Sequence, residues 1–73
     1  MINFYVGVLP DDVHAFLLLL KSIREFNEKE IQIQNEWDDP YGYYTFSILA
    51  DWDVYHILFS NKQIIKSLTH YED

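Results

Sequence analysis

Near the N-terminus, apolar and polar side chains alternate with a period of two. The apolar set is Ile2, Phe4, Val6 and Val8, and the intervening set is Asn3, Tyr5 and Gly7. Such alternation, in residue types that favour extended backbone, predicts a half-buried β-strand over residues 2–9. Pro10 comes next and ends the strand.

Beyond Pro10 the apolar residues recur at the spacing of an α-helix. The stripe consists of Val13, Phe16, Leu17, Leu20, Ile23 and Phe26. Asp11 and Asp12 stand where a helix cap and a first-turn acid are favoured, so the pattern predicts a helix over residues 11–27. Leu18 and Leu19 widen the stripe, so we expect this helix to be covered on two sides or to meet a partner.

A second alternating region predicts a β-hairpin. Ile31 and Ile33 alternate with polar residues over 30–37, and Tyr44, Phe46 and Ile48 alternate with polar residues after position 43. Between them, residues 38–42 read Asp-Asp-Pro-Tyr-Gly, which is strong turn chemistry.

The last third of the sequence permits two interpretations. Residues 54–59 are rich in types that favour strands, and Ser60 with Gln63 resembles a capping box that would start a helix ending near Thr69. The alternative is one long helix that starts at Asp51, because the apolar residues of 54–68 also fit helical spacing. We favour strand followed by helix.

The predicted fold class is therefore α+β: one compact domain, residues 1–73, with element order β-α-β-β-β-α and helices on one face of a small antiparallel sheet. Aromatic residues make up 18% of the chain, which argues against disorder. A core this small gains little stability. Because the Leu17–Leu20 run is apolar nearly all round, we expect a homodimer at micromolar concentration.

Several features bear on location and cofactors. Residues 1–4 lack the charged region of a signal peptide, so we expect none, and the longest apolar run, Ala15–Leu20, is too short to span a bilayer. The chain has no Cys, which rules out disulfides and zinc–thiolate sites. We expect a cytoplasmic protein without a metal or other cofactor.

Negative charge is concentrated between Glu30 and Asn61, a stretch without Lys or Arg. Its acids are Glu30, Glu36, Asp38, Asp39, Asp51 and Asp53, and the remaining residues hold six acids and five bases. Large rings accompany the acids, namely Trp37, Tyr41, Tyr43, Tyr44, Trp52 and Tyr55. Charge of one sign beside large amphipathic rings suits binding to a basic protein surface.

We therefore predict a small acidic inhibitor that binds the nucleic-acid-binding surface of a partner protein by imitating phosphate charge. The predicted partner-binding residues are Glu36, Trp37, Asp38, Asp39, Tyr41, Asp51, Trp52 and Asp53. We expect the turns at 36–39 and 51–53 to lie close together at one end of the sheet, an arrangement that fits this mimicry. The chain itself should not bind nucleic acid, because it has no basic patch and carries a net charge of −7.

Other interpretations remain open. In size and charge alone the chain is similar to the compact acidic inhibitors of phages and toxin-carrying bacteria, so an immunity protein or antitoxin against a basic nuclease is one alternative. A structural or regulatory homodimer, whose acids only maintain solubility, is another. The sheet face that bears Tyr5 and Tyr43 is either ordinary solvated surface or a partner surface.

The sequence gives little support for catalysis. Asp11, Asp12 and His14 fit a helix cap better than a metal site, and no spacing joins Asp38 to His56. Only two glycines occur, which leaves no phosphate-binding loop. We predict that the protein is not an enzyme.

Overall fold

The structure is a computed structural model that describes residues 1–70. It contains four strands and two α-helices. The strands are β1 (Ile2–Val8), β2 (Gln32–Asp38), β3 (Tyr44–Ala50) and β4 (Ile65–His70), and the helices are α1 (Val13–Phe26) and α2 (Trp52–Ser60). A short 3₁₀ turn, Pro10–Asp12, leads into α1.

The four strands form one antiparallel sheet in the order β2-β3-β1-β4. Each helix joins two parallel strands that are not neighbours, because α1 connects β1 to β2 across β3, and α2 connects β3 to β4 across β1. This is the ferredoxin-like, or split β-α-β, arrangement. The predicted fold class, α+β with a small antiparallel sheet, is confirmed.

Both helices pack on the same face of the sheet. Alternate residues of β1 and β3 point into the core and meet the apolar stripes of α1 and α2. The fully buried side chains are Phe4, Val6, Val8, Phe16, Leu20, Phe46, Ile48, Ala50, Val54 and Leu58. The rings of Phe16 and Phe46, one from α1 and one from β3, lie 4.9 Å apart. Of the stripe predicted from the sequence, α1 buries Phe16, Leu20 and Ile23 and half-buries Val13, while Leu17 and Phe26 are exposed.

Within the described residues α1 is covered on one side only, so the first of its two predicted alternatives, coverage on two sides, was wrong, and the second, contact with a partner, stays a prediction. Leu20 is buried and Leu19 is half-buried, but Leu17 and Leu18 are exposed. One apolar stripe of α1 is sufficient to cover the sheet, so Leu17 and Leu18, which lie outside it, face solvent.

The predicted strand over 54–59 and the predicted helix after Ser60 were wrong, and the element order is β-α-β-β-α-β. Residues 52–60 are helical because Asp51 caps them: its Oδ1 accepts the Val54 N–H at 3.1 Å. Ser60 makes no capping box and donates instead to the His56 carbonyl, within the same helix. The alternative helix starting at Asp51 had the correct start but extended too far.

The boundary between α2 and β4 depends on Asn61. Its side-chain Nδ2 donates to the Ile57 carbonyl at 2.8 Å, and its own carbonyl accepts the N–H groups of Ile64 and Ile65. The chain thus turns sharply after Ser60, and residues 65–70 pair with the free edge of β1. This pairing satisfies the backbone N–H and C=O groups along the second edge of β1. A helix in place of β4 would have left those groups unpaired.

Candidate functional site

The turn between β2 and β3 is a tight hairpin built by Asp39. The Gly42 N–H donates to the Asp39 carbonyl at 3.0 Å, which closes a β-turn with Pro40 in its second position. The Asp39 carboxylate accepts the Tyr41 N–H at 2.7 Å and the Thr45 hydroxyl at 3.4 Å. Gly42 has φ of +93°, which favours glycine. The hairpin is therefore rigid, and the predicted turn is confirmed.

Two carboxylates at this hairpin have no internal ion-pair partner. Glu36 and Asp38 are exposed on β2, and the salt bridges found within residues 1–70 involve neither of them. Burial of Tyr44, with the charges of Glu36 and Asp38 beside it, raises the pKa of its hydroxyl. The charge of these two carboxylates is therefore not balanced by an ion pair within residues 1–70.

The hairpin also carries two exposed rings. Tyr41, at the turn, is 86% exposed, and Trp37, on β2, is 36% exposed. The Trp37 ring lies edge-on to the ring of Tyr5, with centroids 5.9 Å apart, so its position is set by the sheet. No ring contact among the described residues fixes the Tyr41 side chain, but the hydrogen bond from its N–H to Asp39 fixes its backbone. We call Glu36, Trp37, Asp38 and Tyr41, held by the Asp39 turn, the acidic hairpin.

The second acidic turn is occupied by structural interactions. Lys29 Nζ lies 2.9 Å from Asp51 Oδ2 and 2.8 Å from Asp53 Oδ2, and Asp51 also caps α2. The hydrogen bond from Lys29, with that from Val54 N–H, lowers the pKa of Asp51. In turn, the bonds to Asp53 and Asp51 raise the pKa of Lys29. One positive charge, that of Lys29, is thus shared by two carboxylates, which leaves one negative charge at this turn.

Trp52 belongs to a separate cluster of rings. It begins α2 and lies 5.2 Å from Tyr55, 6.1 Å from His56 and 5.3 Å from His70, measured between ring centroids. Tyr55 in turn meets the buried ring of Phe4 at 5.5 Å. Trp52 therefore packs the start of α2 against β4, and Tyr55 packs it against β1. Of the Trp52 surface, 45% stays exposed.

The two acidic turns lie at opposite ends of the sheet, so the expectation that they would adjoin was wrong. Tyr44 at the start of β3 pairs with Asp38, whereas Ala50 at its end pairs with Ile2. A strand rises about 3.3 Å per residue, which separates the two ends by roughly 20 Å. The predicted partner-binding set therefore divides into the acidic hairpin with Asp39 and, at the far end, Asp51, Trp52 and Asp53.

Lys29 is the functional neighbour that the sequence reasoning missed. It stands one residue before the acidic stretch, so a count of bases within that stretch excludes it. A second omission is the basic edge: the described residues after Asp53 include no Asp or Glu, while Lys62 and Lys66 are exposed beside and within β4. Both features could have been recognised in the sequence as differences in charge between neighbouring segments.

Within residues 1–70, no group of three or more His, Cys, Asp or Glu side chains is arranged to hold a metal ion. In the same part of the chain, no helix has the length and apolar character needed to cross a membrane. A surface depression of about 170 Å³ lies between α2 and β4, where Phe59, Lys62 and Lys66 line it. Small-molecule sites usually enclose about 300–1,000 Å³.

Comparison with known protein families, with curated proteins and with solved structures found no match to this chain.

Proposed function

We propose that this protein is a binding protein that docks its acidic hairpin on a basic surface of another protein. Glu36 and Asp38 supply the charge, Tyr41 and Trp37 supply contact area, and Asp39 holds the turn that presents them. The observation that carries the proposal is the contrast in pairing: Lys29 compensates Asp51 and Asp53, while neither Glu36 nor Asp38 takes part in a salt bridge within the described residues.

Rigidity supports this role. Side-chain and backbone hydrogen bonds fix the hairpin before binding, so little conformational freedom is lost when it docks. Tyr and Trp are favoured at protein interfaces because each contributes a large area with few rotatable bonds. Surface charges add speed and selectivity to such an encounter.

The class of partner is inferred from the charge. Proteins that hold nucleic acid do so with grooves of Lys and Arg, and the acidic hairpin has the opposite sign. We therefore extend the proposal to an inhibitor that occupies such a groove. Because the mimicking surface is limited to one hairpin, it would imitate a short segment of phosphate backbone; the second acidic turn takes no part.

The test starts with capture. The immobilised chain is exposed to lysate of the source cell at low and high salt, and proteins released by high salt are identified by mass spectrometry. The purified candidate is then titrated with wild-type protein and with a Glu36→Gln/Asp38→Asn variant. We expect the variant to bind about tenfold more weakly, chiefly through slower association, because long-range attraction is lost.

A charge-matched control is the Glu25→Gln/Glu28→Gln variant, which removes the same net charge from exposed positions at and beyond the end of α1. It should bind like the wild type. Tyr41→Ala should mainly accelerate dissociation, and a nucleic acid ligand of the partner should compete with the chain. Equal affinities for the hairpin variant and its control would overturn the proposal.

A further inference from the structure

The sheet face opposite the helices bears no charged side chain at its strand positions within the described residues. Its members, read from the register, are Asn3, Tyr5, Gly7, Gln32, Asn35, Trp37, Thr45, Ser47, Leu49, Ser67 and Thr69. Tyr43 joins them, because its ring lies over Gly7. We call this set the neutral face. In a chain with 23% charged residues and a net charge of −7, its composition stands apart.

The neutral face has a packed centre. Small residues on the middle strands, Gly7, Thr45 and Ser47, form its floor, and the rings of Tyr5 and Trp37 meet across them at 5.9 Å. A Cβ added at Gly7 would lie 3.0 Å from Ser67 Cβ and 3.5 Å from Tyr43 Cβ, so glycine permits the close approach of its neighbours. Two described carboxylates border the face: that of Glu30 accepts a hydrogen bond from the Gln32 amide at 2.8 Å, and that of Asp39 accepts one from the Thr45 hydroxyl at 3.4 Å.

The two edges of this sheet have opposite charge. The β2 edge carries Glu36 and Asp38, while the β4 edge carries Lys66, with Lys62 just before it. Both charged groups lie toward the same end of the sheet, because Asp38 pairs with Tyr44, Tyr44 with Val8, and Val8 with Ile65. The neutral face is thus flanked by an acidic β2 edge and a basic β4 edge, with Glu36 and Asp38 in register with residues of the helix-covered face.

We propose that the neutral face is a self-association surface on which two copies of this chain stack sheet against sheet. The two-fold axis runs parallel to the strands, which places the acidic β2 edge of each copy over the basic β4 edge of the other. An axis across the strands would instead place β2 over β2 and acid over acid. Copies that each carry −7 repel one another overall, and the strand positions that the register assigns to the neutral face add no like charges to the contact.

The size of the neutral face sets the strength of the association. Four strands spaced about 4.8 Å apart, each seven residues or fewer, give a projected area of roughly 400 Å². Specific interfaces typically bury about 800 Å² per partner. We therefore expect reversible pairing in the micromolar range, with strands of the two sheets within about 30° of each other. Trp37 belongs to both the neutral face and the acidic hairpin, so pairing of two copies and docking of the hairpin compete for its ring, whereas Glu36 and Asp38 lie in register with the opposite face of the sheet.

Sedimentation velocity or light scattering over a concentration series tests the proposal. Wild type should change from 8.8 kDa toward twice that mass as concentration rises through the micromolar range. Ser47→Lys places a charge at the centre of the neutral face and should leave the protein monomeric. Because Lys lowers the net negative charge, loss of pairing in this variant cannot be attributed to stronger overall repulsion.

Two further variants fix the interpretation. Leu18→Lys makes the same charge change on exposed α1 and should pair like the wild type, whereas Asn3→Lys, exposed on the neutral face and on central strand β1, should be monomeric even where Ser47→Lys fails to fold. A wild type that stays monomeric at all concentrations would overturn the proposal. A protein that loses pairing through Leu18→Lys but keeps it with Asn3→Lys would do so too, and would assign the interface to the helix.

The axis has its own test at low salt. Asp38→Lys and Lys66→Asp should each weaken pairing several-fold, and the double variant should recover it, since each edge then meets its complement again. Failure of the double variant to recover, with both single variants folded, would contradict the proposed stacking.

Discussion

The two acidic turns have similar sequences and different roles. At 36–39, Glu36 and Asp38 are exposed without an ion pair among the described residues, and Asp39 accepts hydrogen bonds within the turn. At 51–53, both carboxylates are bound by Lys29 and one of them caps a helix. Both turns are acidic in the sequence, but Lys29 offsets one of the two negative charges at 51–53 and none of those at 36–39.

The difference shows that an acidic residue must be assessed by its partners in space. A carboxylate that accepts backbone N–H groups at a helix start is needed for folding, whatever its effect on solubility. A carboxylate that lies on an exposed strand without an ion pair is not needed for folding. The comparison predicts that charge removal should affect stability at one turn and binding at the other.

The largest effect on stability should come from Asp51→Ala. This change removes the cap on Val54 N–H and one of the two Lys29 contacts, so the urea midpoint should fall clearly. Asp38→Ala should leave the midpoint within experimental scatter or raise it, because it relieves repulsion from Glu36. Equal losses of stability in the two variants would contradict the division between the turns.

A smaller effect should appear in the pH dependence of Asp51→Asn, which keeps a capping side chain but removes the charge. The pKa of Asp51 is lowered in the folded state, so its charge stabilises the fold above its unfolded pKa of about 3.9 and this contribution is lost as pH falls through the lower folded value. The gap in urea midpoint between wild type and variant should therefore be constant near neutrality and close in acid. Glu36→Gln serves as the control; a gap that persisted in strong acid would contradict the ion pair.

The smallest effect should come from Ser60→Ala. A cap at Ser60 would cost about 0.5–2 kcal/mol on removal, but Ser60 ends α2 and bonds only to the His56 carbonyl. We expect a change within about 0.5 kcal/mol in urea unfolding. A loss well above that value would mean that a helix starts after Ser60, and with it the assignment of Asp51 as the cap would fail.

The first fifty residues were predictable because local patterns and tertiary structure agree there. Alternation defines β1, β2 and β3, the helical stripe defines α1, and Asp39, Pro40 and Gly42 define the turn. In residues 54–59 the local preference is for strand, but Val54 and Leu58 lie four apart and bury together against the sheet. Burial on one helical face outweighed intrinsic preference.

The candidate site was only partly predictable. The acids and rings of the hairpin were identified from the sequence, since turn chemistry places them at an exposed tip. Their separation from Asp51 results from the direction of β3, which leads away from the hairpin and delivers the next turn to the other end of the sheet. The ion pairs of Lys29 could not be predicted from local patterns, because Asp51 and Asp53 are more than twenty positions away in the sequence.

By itself, the sequence determined which segments alternate, which side of α1 is buried, where the hairpin turns and how much negative charge the molecule carries, because these depend on neighbours a few positions apart. Tertiary structure decided that β4 takes the free edge of β1, that Lys29 compensates one acidic turn, and that a neutral face lies between an acidic and a basic edge. These features depend on strand order, which brings distant segments together by burial and backbone pairing, and no local pattern specifies that order.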